Sequence, residues 1–176
     1  DHRKLEDAFQ RLDEEIGESI RELYRSADSK ERPCDVLYYF WVMQADCPKC
    51  DKAFDLFSSY VIAQNAYPKR KPEVQIYCPA CGGIFEGKYG DSHVACRHCG
   101  HGFSPHNAPS KGARANCPHC AHEFRVIVAQ RTFTTRPRFR LYGKLVLTVE
   151  GDKEYLRATD LDHRAYEKCS NLLGQD

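Results

Sequence analysis

Residues 47–54 read CPKCDKAF, and three later segments repeat the pattern, namely CPACGGIF at 78–85, CRHCGHGF at 96–103 and CPHCAHEF at 117–124. Each segment has two cysteines separated by two residues and a phenylalanine four positions after the second cysteine. Two intervening residues let the backbone turn so tightly that both sulfur atoms point toward one metal ion. The repeat therefore predicts four metal-binding knuckles, each a Cys-x-x-Cys turn with the phenylalanine that follows it.

Most of the cysteines belong to these knuckles. Eight of the ten do so, and we expect all eight to be metal ligands: Cys47, Cys50, Cys78, Cys81, Cys96, Cys99, Cys117 and Cys120. A disulfide framework is the alternative, but it is typical of short secreted chains with irregular cysteine spacing. The acidic, amphipathic N-terminus does not resemble a secretory signal peptide. Reduced thiols indicate a reducing compartment, so we expect the protein to be cytoplasmic.

The metal that suits these ligands best is zinc. Zinc prefers a tetrahedron of thiolate or imidazole ligands, with sulfur about 2.3 Å away, whereas iron is the alternative metal for an all-sulfur site. A closed four-cysteine site has no open coordination position, so we expect structural and not catalytic metal. Binding worth roughly 10–16 kcal/mol per ion can substitute for a large hydrophobic core. The prediction is two structural zinc ions.

Other knuckle residues fit this interpretation. Gly82 and Gly100 follow the second cysteine of their knuckles, where glycine permits the positive φ that closes the turn. The repeated phenylalanines can shield the metal and add apolar area to a small module. Histidines inside and just after the knuckles are also possible ligands. Eight cysteines already complete two sites, however, so we interpret these histidines as ordinary knuckle and surface residues.

The spacing leaves two ways of sharing the ions. In a sequential arrangement the first knuckle joins the second and the third joins the fourth. In a nested arrangement the second joins the third, and the outer two meet. The inner gap is short and contains turn residues around Gly87, Gly90 and Asp91, which suits a self-contained ribbon with one hairpin. The spacing therefore favours nesting.

The rest of the sequence predicts an α+β fold in which small β-rich zinc ribbons are flanked by two helices. The first helix covers residues 1–27, because apolar residues recur every three or four positions. The apolar run at 36–43 predicts a buried strand or a short core segment. Residues 145–149 and 155–157 predict paired strands joined by a turn at Gly151-Asp152. The apolar stripe of the first helix consists of Leu5, Phe9, Leu12, Ile16, Ile20 and Leu23.

The chain is predicted to close with a second helix, capped by Thr159 or Asp160. Its apolar face would contain Leu161, Ala165, Cys169 and Leu172. Residues 104–116 are rich in small and polar residues and predict a loop. Together the elements suggest a helical arm at 1–33, an outer ribbon with a hairpin at 34–67 and 111–158, an inserted inner ribbon at 68–110 and a closing helix at 159–176.

Charge is distributed unevenly along the chain. Residues 1–31 have a net charge of −4, whereas residues 111–144 have a net charge of +7 and interleave arginines with aromatic residues. Such a mixture suits phosphate contact and base stacking. The alternative is a solvated strand that balances the acidic arm. A second basic segment is the loop at 68–72. The candidate DNA-contacting residues of the two segments are Lys69, Arg70, Lys71, Arg131, Arg136, Arg138 and Arg140.

The order of these elements resembles the zinc-ribbon region of bacterial adenine-specific DNA methylases. The resemblance rests on YYFWVMQADCPKCDKAFDLFSSYVIAQ at 38–64, ANCPHCAHEF at 115–124 and KLVLTVEGDKEYLRATD at 144–160. It covers roughly residues 10–173. Family members with only the outer two knuckles imply that these share one ion, and that the inner two form an inserted second ribbon.

The resemblance implies a zinc-binding accessory or insertion domain of an adenine-specific DNA methyltransferase, in a restriction-modification or phage-defence setting. This sequence lacks the family's glycine-rich loop for S-adenosylmethionine and its Pro-Pro-aromatic motif, so the chain alone is not expected to be catalytic. S-adenosylmethionine would bind only to a catalytic domain or subunit elsewhere. The expected partners are that domain and DNA. The first residue is Asp1 and not Met, which fits part of a longer protein, and no apolar run is long enough to span a membrane.

A second hypothesis is a protein–protein interaction module that docks through its N-terminal helix, whose apolar stripe needs a partner. A redox or metal-dependent enzyme is a third class of function. Ligation of metal by eight cysteines would leave them no chemistry to perform, however. The two remaining cysteines, Cys34 and Cys169, are expected to be inert thiols.

Overall fold

The computed structural model describes residues 2–127 and 138–173, which form an α+β fold. At the N-terminus α1 (His2–Leu12) continues through a π-helical turn (Asp13–Gly17) into α2 (Glu18–Leu23), and α3 (Asp160–Leu173) lies at the other end of the described chain. The strands between them are mostly short and antiparallel. The predicted fold class is confirmed. Within the described residues, no helix combines the length and apolarity needed to cross a membrane.

The strands in the described parts of the chain form four small sheets. One sheet has the order β1-β2-β12-β13, with β3 also paired to β2, and the others have the orders β4-β5-β6, β11-β10-β9 and β7-β8. The strands are β1 (Arg25–Ala27), β2 (Pro33–Asp46), β3 (Ala53–Asp55), β4 (Val61–Gln64), β5 (Glu73–Tyr77), β6 (Ile84–Lys88), β7 (Val94–Ala95), β8 (Gly102–Phe103), β9 (Ser110–Lys111), β10 (Arg114–Asn116), β11 (Glu123–Arg125), β12 (Arg138–Leu147) and β13 (Lys153–Arg157).

The chain divides into two compact units. The first comprises residues 1–39 with 144–176, and the second comprises residues 40–143. The division falls within the two longest strands, β2 and β12. The first unit contains the helices α1, α2 and α3, and the second contains all four knuckles.

The first helix is shorter than the sequence predicts. It ends at Leu23, and residues 25–27 form β1, which pairs antiparallel with the start of β2. The reason is tertiary, because the buried hydroxyl of Ser26 donates a hydrogen bond of 2.6 Å to Asp162. A tight loop then connects β1 to β2. The buried carboxylate of Asp28 closes this loop by accepting hydrogen bonds from the amides of Lys30 and Arg32.

The apolar stripe of α1 and α2 faces solvent. Neither helix has a buried residue, and neither does the π-helical turn between them. The stripe residues are between 45% and 63% exposed: Leu5, Phe9, Leu12, Ile16 and Ile20. The amphipathic pattern was therefore recognised correctly, but the described part of this chain does not cover it.

An ion pair is buried in the first unit. Lys144 donates hydrogen bonds of 2.6 Å to Ser26 and 2.9 Å to Asp162, and the Lys144 and Asp162 side chains are 1% and 0% exposed. Burial alone would raise the pKa of Asp162, but hydrogen bonds from Ser26, Lys144 and Thr159 outweigh it and leave the pKa lowered. Lys144 contributes to the net charge of the basic stretch at 111–144, but its charge is buried and does not face solvent.

The start of α3 explains why Asp162 is buried. The amide and hydroxyl of Thr159 both donate to the Asp162 carboxylate at 2.7 Å, so Asp162, and not the predicted Thr159 or Asp160, supplies the accepting side chain at the start of the helix. The buried side of the helix is different from the prediction. Leu161 is 44% exposed, while Ala165 and Cys169 are half-buried. The side chain of Leu172 lies outside the described residues.

The hairpin predicted near the C-terminal end is confirmed with shifted bounds, since β12 extends back to Arg138 and β13 begins at Lys153. The predicted loop at 104–116 is partly wrong. It contains β9 and β10, which pair with each other. Hydrogen bonds to other segments hold them, because the Ser110 amide donates to the Phe57 carbonyl and the Asn116 amide donates to the Pro109 carbonyl.

Candidate metal centres

Each knuckle lies at the tip of an antiparallel β-hairpin. The four hairpins are β2–β3, β5–β6, β7–β8 and β10–β11. In all four, the residue before the first cysteine pairs with the third residue after the second cysteine. These cross-strand pairs are Asp46–Ala53, Tyr77–Ile84, Ala95–Gly102 and Asn116–Glu123. The sequence repeat is therefore also a repeat of backbone register.

The backbone turn is the same in every knuckle. The residue after the second cysteine donates its amide to the carbonyl of the first cysteine at 2.8–2.9 Å, and the amide of the first cysteine donates across the turn at 2.8–3.1 Å. The residue after the second cysteine always has positive φ, with values of 56° at Asp51, 72° at Gly82, 75° at Gly100 and 56° at Ala121. Glycine was expected at two of these positions, but all four adopt the same conformation.

The outer two knuckles form one cluster. The sulfur atoms of Cys47 and Cys120 are 3.6 Å apart, and those of Cys50 and Cys117 are 3.7 Å apart. All four sulfurs lie within 4.8 Å of one another. The paired cysteines are far apart in sequence, with separations of 73 positions for Cys47 and Cys120 and 67 positions for Cys50 and Cys117.

The inner two knuckles form a second cluster of the same shape. Cys78 and Cys99 bring their sulfurs to 3.8 Å, and Cys81 and Cys96 bring theirs to 3.7 Å. The predicted nested arrangement is confirmed, and a sequential pairing is excluded because no sulfur of an outer knuckle belongs to the inner cluster.

The spacing of the sulfurs tests whether a metal fits. A tetrahedral zinc ion with Zn–S bonds of about 2.3 Å separates its sulfur ligands by about 3.8 Å. The observed sulfur–sulfur distances of 3.6–3.8 Å agree with this separation. They are far longer than a disulfide bond of about 2.05 Å. All ten cysteines are free thiols. Each cluster can therefore hold one metal ion, with a geometry consistent with zinc.

Backbone amides inside the turns point at the sulfurs. The amides of Gly83, His98 and His119 donate to the sulfurs of Cys81, Cys96 and Cys117, each at 3.4 Å. Such donors spread the negative charge of a thiolate ligand and fix its orientation. The turn thus stabilises the ionised form of the ligands that it positions.

The thiols of each cluster titrate differently without a metal. Burial would raise the pKa of Cys47, but amides of Lys49 and Cys50 counteract it and lower the pKa to about 7. Burial raises the pKa of Cys78 to about 12, despite the amides of its own turn. The pKa of Cys96 is likewise lowered to about 7, whereas the pKa values of Cys50, Cys99 and Cys120 are raised, that of Cys120 to about 12. Four adjacent thiols cannot all ionise unless a cation compensates their charge.

The four knuckle phenylalanines pair as the cysteines do. Phe54 meets Phe124 edge-to-face with ring centres 6.1 Å apart, and Phe85 meets Phe103 edge-to-face at 6.4 Å. All four are 7–8% exposed. Each cluster therefore has its own buried pair of aromatic rings, contributed by the same knuckles. In the outer cluster they form one core with the cysteines and Ala115.

The knuckle histidines contact rings and backbone. His101 stacks on Phe103 and His122 stacks on Phe124, with interplanar angles of 15° and 17°. A ring nitrogen of His98 lies 3.1 Å from the Ile84 carbonyl oxygen. In the described part of the chain, the groups able to hold a metal consist of cysteines alone. The stacked histidines thus extend the aromatic pairs.

The predicted DNA-contacting residues lie in different surroundings. Arg138 forms an ion pair with Asp46, and Arg140 pairs with Asp55 and donates to the Tyr77 hydroxyl at 3.0 Å. Their charges are balanced within the second unit. Arg131 and Arg136 lie outside the described residues. Lys69, Arg70 and Lys71 are together at the exposed turn between β4 and β5.

Two features of these sites were not recognised in the sequence. The acids that neutralise the arginines adjoin the first knuckle, since Asp46 precedes Cys47 and Asp55 follows Phe54. Nothing in a linear charge count connects them to the basic stretch. The positive φ of Asp51 and Ala121 was also missed. Alignment of the four knuckles could have revealed it, because both residues occupy the position of Gly82 and Gly100.

Nested pairing predicts how metal content responds to paired substitutions. The double variant Cys47→Ser/Cys120→Ser removes two ligands from the outer cluster only, so native mass spectrometry should show one metal ion per chain. Cys47→Ser/Cys78→Ser damages both clusters and should leave none.

The matched control is Cys34→Ser/Cys169→Ser, which removes the two cysteines outside the clusters and should retain two ions. Loss of both ions from Cys47→Ser/Cys120→Ser, with retention in the control, would show that the outer knuckles do not share a site.

Positive φ at Ala121 predicts a stabilising substitution. The left-handed conformation costs an alanine about 1–2 kcal/mol, whereas glycine adopts it freely and loses about 0.5–1 kcal/mol in chain entropy. Ala121→Gly should therefore raise the free energy of unfolding by about 0.5–1 kcal/mol, measured by urea denaturation at fixed free metal. Ala80→Gly is the control, since Ala80 is exposed in a knuckle turn without positive φ and its substitution should not stabilise. An equal effect of both substitutions would contradict the strain argument.

The chain matches no protein-family model, no curated protein and no solved structure. The conclusion that stands on geometry is an α+β chain with two nested four-cysteine groups, each able to hold a metal ion.

Proposed function

We propose that the chain binds two structural zinc ions and serves as an accessory domain of an adenine-specific DNA methyltransferase, where it assists DNA binding. The zinc assignment is supported by all-sulfur ligands at tetrahedral spacing. Four protein ligands per ion leave no position for water or substrate, which favours a structural role. S-adenosylmethionine and the methyl-transfer chemistry belong, in this proposal, to a catalytic domain outside this sequence. The cytoplasm, and a restriction-modification or phage-defence setting, belong to the same proposal.

The observation that supports DNA contact best is the turn between β4 and β5. Lys69, Arg70 and Lys71 are exposed side by side. Among residues 2–127 and 138–173, no carboxylate forms an ion pair with any of the three. Arginine and lysine without internal partners are available to phosphate oxygens, and their binding to DNA would release counterions.

The turn has a defined backbone. The amides of Arg70 and Lys71 both donate to the Tyr67 carbonyl at 2.9 Å. The Asn65 side chain donates to the carbonyls of Lys71 and Glu73 at 3.2 Å. A pre-formed turn loses less entropy on binding than a flexible one, so its three cations suit a specific contact.

This turn replaces the basic strand as the main DNA contact in our proposal. Arg138 and Arg140 would have to leave Asp46 and Asp55 before they could bind phosphate. Breaking such a pair exposes a carboxylate that repels DNA. The structure therefore favours the turn over the two described arginines of the strand.

The proposed DNA contact predicts a strong effect of charge removal at the turn. Lys69→Ala/Arg70→Ala/Lys71→Ala should weaken DNA binding at least tenfold at low salt. It should also reduce the slope of log K against log salt by about 0.9 for each duplex phosphate contact that is lost. Fluorescence anisotropy with a labelled duplex, repeated over a salt series, measures both quantities.

A charge-matched control removes three exposed lysines elsewhere, in Lys30→Ala/Lys52→Ala/Lys153→Ala. It should change the affinity much less than the turn variant does. Equal weakening by both variants would show that the effect depends only on net charge. Unchanged DNA affinity of the turn variant would show that the turn does not contact DNA.

The exposed helical stripe supports a second candidate function, a protein-interaction module. Stripe residues such as Phe9 and Leu12 remain more than half exposed. Acids are interspersed with the stripe residues, including Glu6, Asp13 and Glu15, and residues 1–31 have a net charge of −4. Their like charges disfavour self-association along this face. The partner that fits is an apolar surface bordered by lysine and arginine.

This candidate predicts that Phe9→Glu/Leu12→Glu leaves metal content and DNA affinity unchanged but prevents association with such a partner. An amphipathic peptide with an apolar face and lysine-rich borders is a suitable probe, measured by isothermal titration calorimetry. Arg3→Glu/Lys4→Glu is a control that adds acidic charge to α1 without touching the stripe. Failure of the wild-type chain to bind the peptide, or equal binding by the stripe variant, would reject this docking mode.

A further inference from the structure

Tyr67 is the most exposed tyrosine among the residues whose burial the structure describes. Its side chain is 70% exposed, and it immediately precedes Pro68 and the three cations of the β4–β5 turn. Most other aromatic side chains of the second unit pack together. Phe57, Tyr77 and Tyr142, for example, meet with ring centres 4.7–5.3 Å apart. Within the described residues, no aromatic ring lies against Tyr67.

Hydrogen bonds of the turn hold the backbone of Tyr67 in a defined position. The Tyr67 carbonyl accepts the amides of both Arg70 and Lys71, so the tyrosine is the first residue of the hydrogen-bonded turn. Pro68 restricts the backbone directly after it. At the other end of the turn, Pro72 precedes β5, and its carbonyl accepts a hydrogen bond of 2.8 Å from the amide of Tyr89, which follows β6. An aromatic face and three cations are therefore held within five consecutive residues.

Aromatic faces and cations together suit nucleic acid that is not base-paired. An unpaired base presents a free face for stacking, whereas bases in a duplex are already stacked on their neighbours. Neighbouring lysines and arginine can then contact the phosphates on either side of the stacked base. Duplex DNA could use the cations but not the ring.

We infer that Tyr67 stacks on an unpaired base while Lys69, Arg70 and Lys71 hold the adjoining phosphates, so that the turn binds single-stranded DNA more tightly than duplex. This inference rests on the proposed DNA contact at the same turn and specifies the form of DNA that it recognises. It assigns a role to Tyr67, which the basic residues alone do not require.

An anionic membrane is the other surface that attracts cations next to an aromatic residue. Membrane-surface segments depend on several apolar side chains that enter the lipid together. Here the turn presents a single tyrosine among proline and cations. The observations therefore favour nucleic acid, and vesicle binding is included as an outcome of the test.

The test uses the full metal-loaded chain with a single-stranded oligonucleotide of about 12 nucleotides that contains 2-aminopurine, and with the duplex of the same sequence. Tyr67→Ala should weaken single-strand binding about tenfold and abolish the change in 2-aminopurine fluorescence on binding. Duplex affinity should change less than about twofold. Tyr67→Phe should retain both properties, because the ring and not the hydroxyl is needed.

Tyr38→Ala is the matched control, since Tyr38 is 64% exposed on β2, outside the turn. It should leave both affinities unchanged. If Tyr67→Ala binds single strand like wild type while the triple charge variant is impaired, the stacking inference is overturned and the proposed DNA contact stands. If wild type binds neither form of DNA, both fail together. Binding to phosphatidylserine vesicles that Tyr67→Ala abolishes, without any preference for single strand, would overturn the inference in favour of a membrane surface.

Discussion

The second unit depends on bringing four sulfur atoms within a few ångströms of one another, twice. In the outer cluster, Cys47 and Cys120 meet at 3.6 Å although 73 residues separate them. Closing so long a loop costs chain entropy, and packing ionised thiolates together costs electrostatic energy. A bound cation reverses the second cost and offsets the first. The third knuckle in particular has little strand structure to support it, since β7 and β8 have only two residues each.

The same knuckle structure occurs four times, and the four knuckles pair in a nested order, the outer two with each other and the inner two with each other. Every knuckle joins two antiparallel strands, has the same hydrogen bonds in its turn and places a buried phenylalanine on the second strand. The phenylalanines pair edge-to-face in the same combinations as the cysteines, so each pair of knuckles that shares a cysteine cluster also shares a buried aromatic contact. The first unit is held differently, by the buried contact of Lys144 with Asp162 and by the hydrogen bonds of Thr159 to Asp162 at the start of α3.

Local charge in the sequence is a poor guide to the charge that solvent or a ligand meets. Of the basic residues between 111 and 144, Lys144 is buried, and Arg138 and Arg140 are paired with acids adjoining the first knuckle. The three cations of the β4–β5 turn occupy a much shorter segment but have no internal partners in the described chain. Among these residues, the cations that are free to bind a polyanion are therefore those of the short turn, and not Arg138, Arg140 or Lys144 of the longer basic stretch.

Local patterns were sufficient to predict the eight cysteines that form the two clusters, the knuckle turns, the α+β class and both flanking helices, because each depends on residues close together in the chain. The sequence also favoured nesting, since the inner gap is short. Tertiary structure alone decided that the N-terminal helix ends at Leu23, that Lys144 is buried, and that Asp46 and Asp55 neutralise two arginines. The contacts of Ser26 with Lys144 and Asp162, and those of the two arginines with Asp46 and Asp55, join residues between 85 and 136 positions apart. Their proximity follows from tertiary structure and not from any local pattern. The exposure of Tyr67 likewise became visible only once its neighbours were placed.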